Sequence, residues 1–169
     1  MKRLLLATDL SSRSDRALER GIDLARTHKA HLTILHIVDE DLPAALRSSL
    51  AAAAETEIGV ALTKVGISHA PDISVCVTEG RDHLTILDAA EKDDFDLVIL
   101  GRHRDESVDR PLRGTTMERV LRQGRTPVLV VTDRTEGPYR KVMIGVDFSV
   151  FSRAAIKAGF ATAPQAEFY

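Results

Sequence analysis

The sequence predicts an α/β protein built on a doubly wound parallel sheet of five strands with helices on both faces. Three observations carry that expectation. Short, continuous apolar runs alternate with stretches of helical periodicity along the first 132 residues. The runs are rich in Val, Ile and Leu, as strands buried on both faces are. Parallel neighbours need crossover connections, which the helical stretches between the runs supply.

The elements follow in order. Leu4 to Thr8 gives the first strand. Ser12 or Ser14 caps a helix in which Ala17, Leu18, Ile22, Leu24 and Ala25 recur at helical spacing. Leu32 to Val38 is the second strand, and an Ala-rich helix runs from Pro43 to about Lys64, with Gly66 placed as its C-cap. Ile73 to Val77 is the third strand, with Cys76 read as packing. Arg81 to Lys92 follows as a helix turning Leu84, Leu87 and Ala90 inward. Leu97 to Leu100 is the fourth strand. Thr115 to Gln123 then turns Met117, Val120 and Leu121 inward before the fifth strand, Val128 to Val131.

Beyond that unit the chain repeats itself. A shift of 138 residues lays Leu6-Ala7-Thr8-Asp9-Leu10-Ser11 on Ile144-Gly145-Val146-Asp147-Phe148-Ser149, then Ser14 on Ser152, Ala17 on Ala155 and Gly21 on Gly159. A period of one whole domain implies tandem copies. The expected division is a domain over 1–134, a linker over 135–140 around Gly137-Pro138, and the beginning of a second copy over 141–169. That second copy is expected as a strand and a helix only, a truncated form of a longer tandem chain. Six of the seven aromatic residues lie after Pro138, a surface that one strand and one helix cannot bury.

Composition narrows the function. Lys and Arg number 23 against 25 Asp and Glu, so no global charge draws nucleic acid or an anionic membrane, and neither is expected as a partner. One Cys among 169 residues leaves no disulfide framework and no four-Cys zinc site. The N-terminal apolar stretch is too short for a signal peptide and no run approaches a membrane span, which points to the cytoplasm. The six His residues show no metal-ligand spacing, and His36 reads as a hydrogen-bonded structural histidine. The sequence carries no G-x-G-x-x-G after the first strand, no Walker P-loop and no G-x-S-x-G elbow. A response-regulator receiver needs an acidic pair at the first strand, where this chain offers only Asp9.

In a doubly wound sheet ligands bind at the carboxyl edge near the switch point. The residues gathered there are Thr8-Asp9, His36-Ile37 and Gly101, with Gly114-Thr115-Thr116 opening a helix. Asp9 equally fits a turn or helix cap, and Gly114-Thr115 a plain helix start. Together, Asp96-Leu-Val-Ile-Leu-Gly101, Gly114-Thr115-Thr116-Met117-Glu118-Arg119-Val120 and Thr126-Pro127-Val128-Leu129-Val130-Val131 resemble the universal stress protein family over Lys2 to Thr132. The resemblance implies a Rossmann-like sheet in the order 3-2-1-4-5 and a stress-response sensing role. It also implies ATP as ligand, with Mg²⁺ accompanying it, and at most slow hydrolysis. By the same likeness, Asp9, with Ala7 and Thr8, lies beside the nucleoside, and the backbone of Ile37 meets adenine. Gly101, Arg102, Gly114, Thr115 and Thr116 wrap ribose and phosphates, as glycines and a hydroxyl-bearing helix start can.

One position departs. Nucleotide-binding members carry G-2x-G-9x-G-[S/T], and the second glycine falls on Arg104. Its side chain either fills phosphate space or pairs with a phosphate, as Arg102, Arg110 and Arg113 could. Residues 101–125 hold seven Arg and one His against four acids, a strip that also reads as a solvated face. The alternative function is therefore a nucleotide-free interaction module in which Arg104 has closed the site. A third reading is an anion binder using the same crevice. The resemblance further implies a dimer paired through the fifth strand, whose edge invites it.

Overall fold

A computed structural model describes residues 1–12, 14–66, 72–102 and 115–169. Its main body is the expected sheet. The strands β1 (Arg3–Ala7), β2 (His31–Asp39), β3 (Ile73–Gly80), β4 (Leu97–Gly101) and β5 (Val128–Val131) pair in parallel in the order β3-β2-β1-β4-β5. The helices α1 (Ser14–His28), α2 (Ala44–Lys64), α3 (Asp82–Lys92) and α4 (Thr116–Gln123) make the crossovers. Leu4, Leu6, Leu32, Ile34, Leu97 and Ile99 bury one sheet face against α1 and Ile58 of α2. Leu5, Leu35, Val98 and Leu100 bury the other against Ile86 and Ala90 of α3 and Val120 of α4. At the amino edge, the Asp96 carboxylate accepts from the backbone N–H groups of Lys2 and Arg3, tying β1 to β4.

Local sequence explains most of the boundaries. The inward face of α1 holds Ala17, Leu18, Ile22, Leu24 and Ala25, all buried, and the helix runs from the acidic Asp15 to the basic Arg26 and His28. That charge order complements the helix dipole. Pro43 starts α2, and Gly66 takes φ +76° just beyond its end, where a side chain would be strained.

Several expectations fail at the rim of the body. Leu84 is 49% exposed, and Ile86 takes the inward place on α3. Apolar residues occupy much of that helix's circumference, so spacing alone does not single out a face. Leu121 is 48% exposed while Met117 and Val120 reach the core. Cys76 is exposed rather than packed, because β3 is an edge strand with only β2 beside it.

The C-terminal residues form β6 (Lys141–Val142), α5 (Val150–Thr162) and β7 (Glu167–Phe168), with β6 and β7 parallel. The expected fragment ended with its helix. The structure adds β7, since Phe168 stacks on Phe160 of α5 at 4.0 Å between ring centroids. The joining segment is held to α1. Arg20, 6% exposed, donates to the Gly137 carbonyl at 2.8 Å, pairs with Asp23 at 3.1 Å, and lies 4.2 Å from the Tyr139 ring centre. His28 Nε2 meets the Thr162 carbonyl at 3.1 Å, at the end of α5.

Candidate functional site

The site begins with a difference in strand length. Pairing of β1 with β2 ends at Ala7 opposite Leu35, and the Thr8 N–H still donates to the Leu35 carbonyl at 2.9 Å. β2 continues to Asp39. In a parallel ladder alternate residues direct their backbone groups to the same neighbour. Ile37 therefore points its N–H and C=O to the side from which β1 has departed. The Thr8 carbonyl, which a longer ladder would present to Ile37, instead accepts from His36 Nδ1 at 2.9 Å. That is the structural hydrogen bond expected of His36.

β1 departs through a tight turn. Asp9 Oδ1 accepts from the Ser11 N–H at 3.0 Å and from the Ser14 hydroxyl, while Leu10 takes φ +59°. Ser14 is buried, and its hydroxyl also meets the Asp9 N–H at 3.4 Å. One carboxylate thus organises both the turn and the first residue of α1. The same construction recurs 138 residues later. Asp147 accepts from Ser149 N–H at 3.0 Å and from the Ser152 hydroxyl, with Phe148 at φ +62°. Hydrogen bonds from Ser149 and Ser152 hold the Asp147 carboxyl down at about 2.

On the other side of β1, Ala7 stands opposite Leu100, so Gly101 ends β4 beside the turn, and the Arg102 N–H donates to the Val131 carbonyl at 3.0 Å. Since α4 leads back into β5, its N-terminus lies at the same carboxyl edge. Thr115 is its N-cap. The Thr115 hydroxyl accepts from Glu118 N–H at 3.2 Å, and the Glu118 carboxylate accepts from Thr115 N–H at 3.0 Å. Thr116 donates its hydroxyl to Asp82 Oδ2 at 3.4 Å, joining the start of α4 to the start of α3. Across the rim, Arg47 is engaged by Glu79 at 2.7 Å and Arg81 by Glu40 at 3.1 Å.

Ala7, Thr8, Asp9, Ile37, Gly101 and Arg102 thus meet at one edge, with Thr115 and Thr116 at the helix start. Arg104 and Gly114 lie outside the described residues. Sequence reasoning missed Asp82 and Glu118. The T-x-x-E spacing from Thr115 signals a capping box and could have found Glu118. Nothing local signals Asp82, whose meeting with Thr116 is made by tertiary packing. Among the described residues no group of three His, Cys, Asp or Glu side chains is placed to hold a metal ion. No helix among them is long and apolar enough to cross a membrane.

This arrangement of sheet, turn and helix start can be set beside known proteins. Residues 1–132 match the sequence model of the universal stress protein family. The chain belongs to that family. Among similar proteins, universal stress protein A homolog 1 of Coxiella burnetii is 26% identical over 144 residues, covering 77% of this chain and 95% of that protein. The UspA universal stress protein of Lactobacillus plantarum superposes with a TM-score of 0.66 at 26% identity, over 77% of this chain and 97% of its own. A universal stress protein solved in complex with cAMP superposes at 0.59 with 23% identity, over 78% and 96%. The predicted strand order stands.

Proposed function

We propose that this universal stress protein is a cytoplasmic stress-response regulatory domain that binds an adenine nucleotide at the carboxyl edge above β1, β2 and β4. It acts by occupancy, with at most slow hydrolysis. The observation that carries this reading is the overhang of β2 past β1, which turns the Ile37 backbone into a donor–acceptor pair facing the crevice. An adenine edge needs that pair. Asp9, fixed by Ser11 and Ser14, would face the ribose, and Gly101 would let the ligand approach the strand end closely. Thr115 and Thr116 stand where phosphate would lie. Any Mg²⁺ would arrive with the phosphates. The universal stress protein in complex with cAMP shares this fold, which supports an adenine ligand.

Two further readings belong with it. Residues 141–169 repeat the β1-α1-β2 start of the chain down to the Asp-Ser hydrogen bonds, which supports a second domain of the same kind beginning after a linker over 135–140. β5 is the outer strand of its sheet and the candidate edge for homodimer pairing. A nucleotide-free pairing module is the rival function. It is favoured by the apolar surface of the C-terminal unit, where Met143, Phe148 and Phe151 are 88%, 92% and 81% exposed.

The test is to denature the purified protein, separate the supernatant by anion exchange against nucleotide standards, and follow thermal unfolding with added ATP and cAMP. The expected result is co-purified adenine nucleotide or a higher Tm. A ligand at a hundredfold over its Kd stabilises by about 2.7 kcal/mol, several degrees here. An empty extract together with an unmoved Tm would transfer the function to pairing, with light scattering as its check.

A further inference from the structure

The start of α4 is where the proposed site would hold phosphate, yet this chain places two of its own carboxylates there. Glu118 takes the Thr115 N–H at 3.0 Å, and Asp82 takes the Thr116 hydroxyl at 3.4 Å. Asp82 is also the first residue of α3, so its carboxylate stands at two helix N-termini at once. Helix starts attract anions because their free N–H groups and dipoles point outward. Here that attraction is met from within the molecule. A second anion entering would sit beside Asp82 and meet its repulsion. The nearest cations on the β2–β3 side offer little compensation, since Arg47 and Arg81 are paired with Glu79 and Glu40.

We propose that Asp82 is a specificity residue that selects against highly charged phosphates, so the ligand is an adenosine or an adenine nucleotide with a single phosphate charge rather than ATP. This rests on the adenine-site reading and names its ligand class. Thr116 is the positioning residue, since its hydroxyl holds Asp82 at the mouth of the site. The neutral nucleoside half of the ligand has no quarrel with Asp82, so removing the charge should alter only the ratio between ligands.

The experiment titrates the full chain with adenosine, cAMP and ATP at one ionic strength, with and without Mg²⁺, for the parent protein and for Asp82→Asn, Thr116→Val and Asp88→Asn. Asp88 lies on the exposed face of α3 and matches the charge change. The expected result is that adenosine and cAMP bind at least as tightly as ATP in the parent. Asp82→Asn should improve ATP about fivefold relative to adenosine, and Thr116→Val should give part of that gain. Asp88→Asn should leave the ratio where it was. ATP binding tighter than adenosine, with a ratio that Asp82→Asn does not move, would overturn the proposal while leaving the adenine site intact. An equal gain from Asp88→Asn would overturn it too, by reducing the effect to net charge. Binding of none of the three would instead remove the adenine site itself, and this proposal with it.

Discussion

The imidazole Nδ1 of His36 donates to the carbonyl oxygen of Thr8 at 2.9 Å, and that bond stands where the β1–β2 ladder would otherwise continue. It keeps Ile37 facing the crevice while β1 turns away. Replacing His36 by Ala leaves the Thr8 carbonyl without this donor and frees the turn. The expected outcome is a roughly tenfold loss of adenine-ligand affinity, from one hydrogen bond worth about 1 kcal/mol, with the sheet intact by circular dichroism. Titration calorimetry against the parent checks it.

Asp9 and Asp147 build the same turn at two places in the chain, but only Asp9 stands beside β2 and β4. Asp9→Ala should weaken ligand binding and Asp147→Ala should not. Acid should separate the second turn on its own. The Asp147 carboxyl lies at about 2 in the fold against an ordinary 3.8, so its ionised form is the one the fold favours. Its contribution is complete above about pH 4 and is lost as pH falls toward 2. Amide shifts of Ser149 and Ser152 should follow that window, and Asp147→Asn should abolish the response.

Leu5 and Met143 occupy equivalent places in the repeat, yet Leu5 is 1% exposed and Met143 is 88% exposed. The α3 and α4 side chains that cover Leu5 have no counterpart over Met143 among the described residues. Leu5→Ala should therefore cost about 2–5 kcal/mol, whereas Met143→Ala should change stability by less than about 0.5 kcal/mol. Urea unfolding of both variants distinguishes them.

Arg20 clamps the segment that leads into β6. Arg20→Met removes the bond to Gly137 and the contact with the Tyr139 ring, at an expected cost of about 2–3 kcal/mol. Burial raises the Tyr139 phenol above its usual 10, with Arg20 opposing the rise. Because the folded value is raised, docking of Tyr139 is fully supported below about pH 10 and weakens as pH climbs past it. Phenolate absorbance in a Tyr169→Phe background should show Tyr139 titrating later than a free tyrosine in the parent. After Arg20→Met releases the segment, it should titrate near 10.

The strands and α1 were legible because buried parallel strands read as unbroken Leu and Ile runs, as Leu4 to Leu6 and Leu97 to Leu100 do. The turn at Asp9 was legible because it recurs at Asp147. What escaped was set by tertiary packing. Ile86 rather than Leu84 faces inward because of where α3 lies on the sheet, and Cys76 is exposed because β3 is outermost. The pair Asp82–Thr116 joins residues 34 positions apart, and no local pattern records it. Ile37 was placed at the site by family likeness. Its physical reason, the overhang of β2 past Ala7, emerged from the register alone.

The most direct test of the adenine site is an amide chemical-shift map of this 18.5 kDa chain during titration with cAMP. The account expects saturable shifts concentrated at Thr8, Asp9, Ile37 and Gly101, with Met143 and Phe151 unmoved. Saturable shifts confined to the C-terminal unit, or no saturable shift at Ile37, would contradict it.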